Sequence, residues 1–400
     1  MLLTYIKNFA LFLFIFVAFN DTLAEDYAGG FVIKGAFGLF VLTHAKDLYE
    51  MFFKAKTLVV KNFLFFIVVI SVVTVLTYIF KSNLMYITDM LQVSALRIIA
   101  FVVIFMYVTY TKEFTKLLYM IWVTMIFSSV VAFFSDPYEQ YTFRRVGGTG
   151  NPNDFAAQLL PTMFLSVYLF KKNKSWIFLG TSLLVFLYTL VYAGSKSSFL
   201  ILALMLLFIF VMRFKEIIGF LATGKGLSSL VVFVLLMTSA GVYLQQDTAI
   251  KGLQERSKKT GTMQQRFIIW NAGAEMIRDN FFLGVGFAQF PKVSGGYIKD
   301  YLPPEALPSH NDFIKVFAEN GVFTFLAFVM FIISLFTVKA REIYASDYFW
   351  LYVASLSAVL MGLTIPSLHH KDFWFSLALV SHAIVSLSQK EHQKPQKVSI

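Results

Sequence analysis

Cysteine is absent from the 400-residue chain, and charged residues are scarce at 14%. The absence of cysteine excludes disulfides, thiolate metal sites and cysteine nucleophiles. Soluble domains carry about a quarter charged residues, so the scarcity of charge argues against a soluble fold. The chain also has no Walker A loop and no Gly-x-Ser-x-Gly elbow. The chain therefore lacks the sequence signatures of P-loop nucleotide enzymes and of α/β-hydrolases.

What the chain has instead is long apolar runs from end to end, with 58% hydrophobic residues and 47 Phe. A bilayer cannot satisfy an open backbone, so each run predicts a helix. We therefore expect an all-α polytopic membrane protein with about twelve spans. The predicted spans are 5–22, 29–45, 59–80, 87–110, 114–134, 154–171, 176–193, 197–213, 227–244, 312–338, 347–366 and 373–389. A cleaved signal peptide ending near Ala24 is the alternative for the first run.

Lysine and arginine concentrate in alternate loops, which orients the predicted bundle. By the positive-inside rule both termini are cytoplasmic. The net charge of +11 then needs no nucleic-acid partner to explain it. The predicted organisation is a membrane domain with spans 1–9 (1–244), a large outer loop with an interfacial helix (245–311), spans 10–12 (312–389) and a cytoplasmic tail (390–400).

Two residues of the outer side are the candidates for acid–base and anion chemistry. His310 directly precedes a predicted span, and imidazole titrates near neutral pH, so it could act as an acid or a base. The alternative for His310 is a helix-start residue in the headgroup region, with Asn311 or Ser309 as the helix cap. Arg266 heads an amphipathic stretch from Gln264 to Asp279. It could bind phosphate with two parallel hydrogen bonds, or simply reach up to lipid headgroups.

Other outer residues could bind an anionic donor. Lys196 lies in a very short turn between two spans, where an ammonium would sit at the bilayer surface. Arg144 and Arg145 precede a glycine-rich loop that leads to Asn153. This loop is either a donor-binding loop or an ordinary turn in which Asn153 caps the next helix. Arg97, inside a predicted span, indicates a wet cavity, because an unpaired charge there is costly.

Adjacent histidines at positions 369 and 370 lack the i, i+4 spacing of a helical metal site, and no carboxylate–histidine cluster accompanies them. We therefore predict neither a metal nor another cofactor.

Several motifs together resemble the O-antigen ligase and polymerase family of bacterial envelope glycosyltransferases. They are Arg266–Trp270, Asn280–Gly286, Gly150–Ala156, Gly194–Ser197, and His310-Asn311 followed after nine residues by Gly321 and then Thr324. Family members usually carry Arg where this chain has Lys196, a change that keeps the charge and loses the bidentate geometry. The resemblance is clearest over roughly residues 145 to 325, and Gly284, Gly286, Asn311 and Gly321 are its structural positions.

The resemblance implies transfer of a glycan from undecaprenyl diphosphate on the periplasmic face of a bacterial inner membrane, with inversion at the sugar carbon. The large outer loop would then be periplasmic. For the ligase branch, which Thr324 favours, the acceptor is the lipid A–core oligosaccharide. Arg266, with Lys196 and Arg145 or Arg144, would neutralise the departing diphosphate, and His310 would orient or deprotonate the acceptor hydroxyl. Membrane lipids are the remaining expected partners, and homo-oligomerisation is left open.

Three other functions fit parts of the pattern. An O-antigen polymerase would use the same donor and add the glycan to another lipid-linked repeat. A lipid or polysaccharide transporter suits many spans and an intramembrane Arg97, but its site is expected near the midplane rather than in one outer loop. A scaffold without activity would leave the clustered outer cations unexplained.

Overall fold

The computed structural model of the protein describes residues 2–28, 30–53, 57–80, 87–134, 149, 151–224, 227–228, 261–298 and 307–392. Several sequence-based expectations fall outside these residues. They concern Arg144, Arg145, nearly all of predicted span 227–244, the loop region 245–260 and most of the tail.

Helices make up the described part of the chain, and that part contains no strand. Their bounds are α1 Leu2–Phe19, α2 Asp21–Ala28, α3 Gly30–Phe53, α4 Leu58–Phe80, α5 Ile87–Tyr110, α6 Phe114–Phe134, α7 Pro152–Asn173, α8 Trp176–Ala193, α9 Lys196–Met212, α10 Phe214–Leu221, α11 Gly261–Asp279, α12 Phe290–Ser294, α13 Asp312–Thr337, α14 Ala340–Tyr344, α15 Phe349–Gly362 and α16 Lys371–His392.

Membrane-spanning length and apolarity are met by four of the described helices, namely α1, α4, α6 and α13. A fifth candidate is the pair α9 and α10, which is bent by 85° at Arg213. The all-helical class and these four or five candidate spans are thus established for the described residues, while the count of about twelve stays a prediction. The eleventh predicted span contains α15, which at 14 residues is shorter than the 347–366 expected.

Aromatic packing forms the centre of the bundle. Phe63 of α4 stacks on Phe105 of α5 with ring centroids 4.0 Å apart, and Trp374 of α16 is fully buried beside them. In lipid the association of helices depends on such close packing rather than on escape from water. The abundance of Phe thus supplies the interior between helices as well as the lipid-facing surface.

Four helices, α7, α9, α15 and α16, each have one end at the same end of the bundle. Asp154 at the start of α7 lies 3.9 Å from His370, just before α16, and Ser198 at the start of α9 contacts Met361 at the end of α15. We call this the His310 end of the bundle, since it is continuous with the start of α13. The helices α7, α9 and α16 run away from it, and α15 runs towards it.

The start of α7 corrects one sequence-based expectation. The N-cap is Asn151, whose side chain accepts the backbone N–H of Asn153 at 2.8 Å, and Pro152 opens the helix. Asn153 is therefore inside the first turn and is not the cap. Proline at the first helical position is favourable because its missing N–H would have no partner there.

Candidate functional site

A break in α13 organises the site. Gly321 has φ 71° and ψ −179°, a backbone conformation essentially restricted to glycine, so the helix consists of two segments that meet there. A Cβ at this position would lie 2.0 Å from the carbonyl oxygen of Phe282. The glycine is thus required both by its own backbone angles and by the close approach of the main chain at Phe282.

The Leu283–Gly286 turn supplies hydrogen-bond partners for the backbone groups that lose their helical partners at the break. Val285 and Gly286 donate their N–H groups to the carbonyls of Ala318 and Glu319, at 2.9 and 2.8 Å. In return, Val322 donates to the carbonyl of Phe281 at 2.9 Å. Freed backbone groups inside a membrane protein must find such partners. Two motifs that are far apart in the sequence therefore form one backbone unit.

Gly284 is the second glycine that this unit requires. Its φ is +69°, and a Cβ there would lie 2.2 Å from the backbone carbon of Glu319. The fold also explains the spacing of nine residues between Asn311 and Gly321. These nine residues form the first helical segment of α13. This segment holds His310 at one end and is anchored at the other by the Leu283–Gly286 turn.

His310 lies at the opening of that first segment in an unusual conformation. Its φ is 49°, in the left-handed region that residues other than glycine rarely adopt. Asn311 follows as the N-cap, and its side chain accepts the N–H groups of Phe313 and Ile314 at 2.9 and 3.1 Å. The cap and the buried Ser309 hold the chain in this conformation. Backbone strain of this kind is concentrated at functional sites.

Arg266 reaches the same end of the bundle from α11. Its Nη1 donates to the Ser197 hydroxyl at 3.2 Å, which joins α11 to the first turn of α9. Close packing positions the helix: at Gly273 a Cβ would lie only 2.5 Å from Cγ2 of Ile314 in α13. Arg266 is partly buried and electrostatically coupled to His310.

The apolar surface of α11 has two faces. Ile269, Ala272 and Met276 are buried against the protein, whereas Phe267 is 54% exposed. Part of the apolar surface of α11 therefore faces away from the bundle. An exposed apolar side chain on a helix that covers the end of a membrane bundle is typical of an interfacial helix.

Electrostatics separate the roles of the two residues. Burial, together with the charge of Arg266, lowers the pKa of His310 to about 4. Burial also lowers the pKa of Arg266, but a guanidinium remains protonated in proteins. At neutral pH the pair thus consists of a neutral imidazole, which can accept a proton, beside a permanent cation, which can bind an anion.

Lys196 is brought to this pair by the short turn predicted from the sequence. Gly194 ends α8 with φ 59°, and Lys196 is the first residue of α9, exposed and next to the Ser197 that contacts Arg266. Asn153 lies at the same end through the contact of Asp154 with His370. Arg144 and Arg145 lie outside the described residues, so the structure does not relate them to the site.

Buried charges beneath His310 were missed in the sequence analysis. Asp312, Lys315 and Glu319 on α13 are between 0 and 5% exposed. Asp312 accepts the N–H groups of Ser367 and Leu368 at 3.1 and 3.0 Å. Their spacing of three and then four residues places them on one face of a helix, and charges on one face of a predicted span could have indicated the site.

Glu319 is the centre of this charged group. Its carboxylate accepts the N–H groups of Ala288 and Phe290 at 3.0 and 2.9 Å, and it lies 3.7 Å from Nε2 of His369. Burial lowers the pKa of His369 to about 3. Lys315 and Arg97 lie within electrostatic range of Glu319. Arg97, which the sequence placed inside a predicted span, thus has an acidic neighbour.

Comparison with known families gives one match in this region. Residues 181–329 match the family model described as O-antigen ligase. The matched segment begins within α8 and ends within α13. It therefore includes Arg266, His310, Gly284 and Gly321. A comparison with curated proteins gives no match. The likeness to the O-antigen ligase family therefore covers residues 181–329, the part of the chain that holds Arg266 and His310.

Proposed function

We propose that the protein is an O-antigen ligase, which transfers a glycan from undecaprenyl diphosphate to the lipid A–core oligosaccharide. The observation that carries the proposal is the juxtaposition of a neutral His310 with Arg266 at the opening of a broken helix, inside the matched family domain. A base beside a fixed cation suits a reaction in which a hydroxyl attacks and a diphosphate leaves.

The cations have the role of binding the donor. Negative charge develops on the diphosphate as the bond between the sugar carbon and the phosphate oxygen breaks, and a preorganised guanidinium stabilises that charge. Arg266 lies in a partly buried position, where its interaction with an anion is screened less than in bulk water. Lys196, Arg145 or Arg144, and Asn153 complete the proposed donor site.

His310 has the role of general base. The acceptor hydroxyl transfers its proton to the imidazole as the oxygen attacks the sugar carbon from the side opposite the diphosphate. The bond from oxygen to carbon forms, the bond to the diphosphate breaks, and the configuration at the carbon inverts. A base that is already neutral at working pH needs no prior deprotonation, which favours this role over that of an acid.

The location of the reaction follows from the proposed orientation. With both termini cytoplasmic, the His310 end faces the periplasm, where no nucleotide sugar is present. A donor that arrives already activated on a lipid is then chemically necessary. Exposed Phe267 on α11 supports an outer-leaflet position for the helix that carries Arg266.

The pH dependence of transfer tests the state of His310. We expect kcat/KM of the purified protein to stay level from pH 8 to about 5 and to fall by half near pH 4, because protonation below its lowered pKa removes the base. Circular dichroism over the same range should separate this loss from acid unfolding. A midpoint near 6.5 would mean that the base titrates as in solution.

An O-antigen polymerase is the neighbouring alternative, because the same donor and the same site would serve it. The two are distinguished by a deletion strain, whose lipopolysaccharide profile and undecaprenyl-linked glycans are measured together. We expect bare core and accumulated long lipid-linked chains. Core bearing a single repeat would assign the protein as a polymerase, and unchanged profiles in both assays would contradict the proposal.

A further inference from the structure

A second polar cavity lies at the opposite end of the same helices. It has a volume of about 590 Å³ and opens between the last turn of α7, the joint of α9 and α10, the start of α15 and the end of α16. The 22 residues of α7 separate it from the His310 end by roughly 33 Å, at about 1.5 Å per residue. The cavity is therefore distinct from the proposed donor site.

Positive charge predominates in the lining. Lys171, Lys172, Arg213 and Lys390 contribute four cations, against the two carboxylates of Glu216 and Asp347. Glu216 forms an ion pair with Arg213, so three lysines remain against the single carboxylate of Asp347. The excess of cations around this open cavity favours a bound anion.

Arg213 is held rigidly at the wall of the cavity. Its Nη2 donates to the carbonyl of Ser346 at 3.1 Å, and its guanidinium lies 4.6 Å from the ring centroid of Phe349. Lys172 donates to the Thr115 hydroxyl at 2.5 Å, and Lys390 lies 6.0 Å from the ring centroid of Tyr348. The cations thus converge on one space from the ends of α7, α9 and α16, as in a preformed anion site.

The helix surfaces next to the cavity indicate that the anion belongs to a lipid. The last turns of α9, which lead to Arg213, expose Leu207 by 59% and Val211 by 63%. Beyond the 85° bend, α10 also exposes Phe214 and Phe220. Trp350 and Tyr168 in the lining are the residue types found at headgroup level. A basic cavity beside exposed apolar helix surface matches a headgroup with attached acyl chains better than a free ion.

We propose that this cavity binds the phosphate-bearing headgroup of an anionic phospholipid, in the leaflet opposite the His310 end. The lysines and Arg213 contact the phosphate, and the acyl chains lie along the exposed surface of α9. Basic pockets between helix ends on the cytoplasmic side are suited to such headgroups. The proposed orientation puts this end on the cytoplasmic side.

Binding of dioctanoyl phosphatidylglycerol to the purified full-length protein tests the proposal, with titrations followed by native mass spectrometry. The double variant Lys172→Gln/Lys390→Gln should bind about 30-fold more weakly than wild type, roughly fivefold for each lost charge. The matched control is Lys46→Gln/Lys112→Gln, which removes two exposed lysines outside the cavity lining. This control should bind as wild type does.

Two further probes define the ligand. Dioctanoyl phosphatidylcholine should bind far more weakly than phosphatidylglycerol, and inorganic phosphate should compete only at much higher concentration. Equal affinity of the variant and wild type would overturn the proposed site. Equal binding of phosphatidylcholine would overturn the preference for an anion, and equal binding of inorganic phosphate would replace the lipid by a free ion. If the double variant unfolds, Lys390→Gln alone is tested and should lose about fivefold.

Discussion

Replacing His310 with Gln is expected to reduce glycan transfer by about a hundredfold to ten-thousandfold, the usual contribution of a positioned general base. Gln keeps a polar side chain of similar size but cannot accept the proton of the acceptor hydroxyl. The measurement is transfer from a lipid-linked donor by purified protein, with binding of the donor measured separately. Near-total loss of transfer with normal donor binding would support the chemical role of the imidazole.

Two controls make this result interpretable. His392→Gln changes the last residue of α16, at the other end of the bundle, and should leave transfer unchanged. The amount of folded His310→Gln protein must equal that of wild type, since position 310 has a positive φ that the backbone must retain. Substantial transfer by His310→Gln, or weakened donor binding that accounts for the loss, would assign His310 to phosphate binding.

Replacing Gly321 with Ala is expected to destabilise the protein by about 3 kcal/mol and to abolish transfer. The residue has a backbone conformation that alanine strongly disfavours, and the new Cβ would collide with the carbonyl of Phe282. The collision separates the Leu283–Gly286 turn from α13, so the segment that holds His310 loses its anchor. A lower thermal unfolding midpoint in detergent would register the loss.

Gly38→Ala is the matched control for this effect. Gly38 lies within α3, and a Cβ there would meet nothing within 4 Å. Alanine is the better helix former, so this variant should unfold at the same temperature as wild type or slightly above it. If Gly321→Ala unfolded like Gly38→Ala, then α13 would not be broken at Gly321.

Helix positions were predictable from the chain alone. The predicted spans 87–110, 114–134 and 176–193 coincide with α5, α6 and α8. The reason is that a bilayer demands backbone hydrogen bonds within each segment and an apolar surface around it, and both requirements are local. Arg266, His310 and the glycines were likewise visible as motifs, although nothing in their spacing says how they meet.

Features that depend on contacts between distant segments were not predictable. At the bend between α9 and α10, Arg213 donates to the carbonyl of Ser346, which lies 133 residues away in the sequence. Only the fold shows that the carboxylate of Asp312 accepts the backbone N–H groups of Ser367 and Leu368. Lys315 and Glu319 were overlooked inside an apolar run, because burial of a charge is decided by the neighbours that surround it.

By itself, the sequence determined that the chain is helical, that it belongs in a membrane and that a histidine and an arginine flank its most polar loop. The tertiary structure alone decided that Gly284 and Gly321 lock two backbone segments together, and that His310 lies beside Arg266 with its proton affinity lowered. The physical reason is the range of the forces involved. Apolarity and helical hydrogen bonds are properties of a single segment. Desolvation of a side chain, hydrogen bonds between two backbone segments and the interaction of distant charges arise only once separate segments have packed.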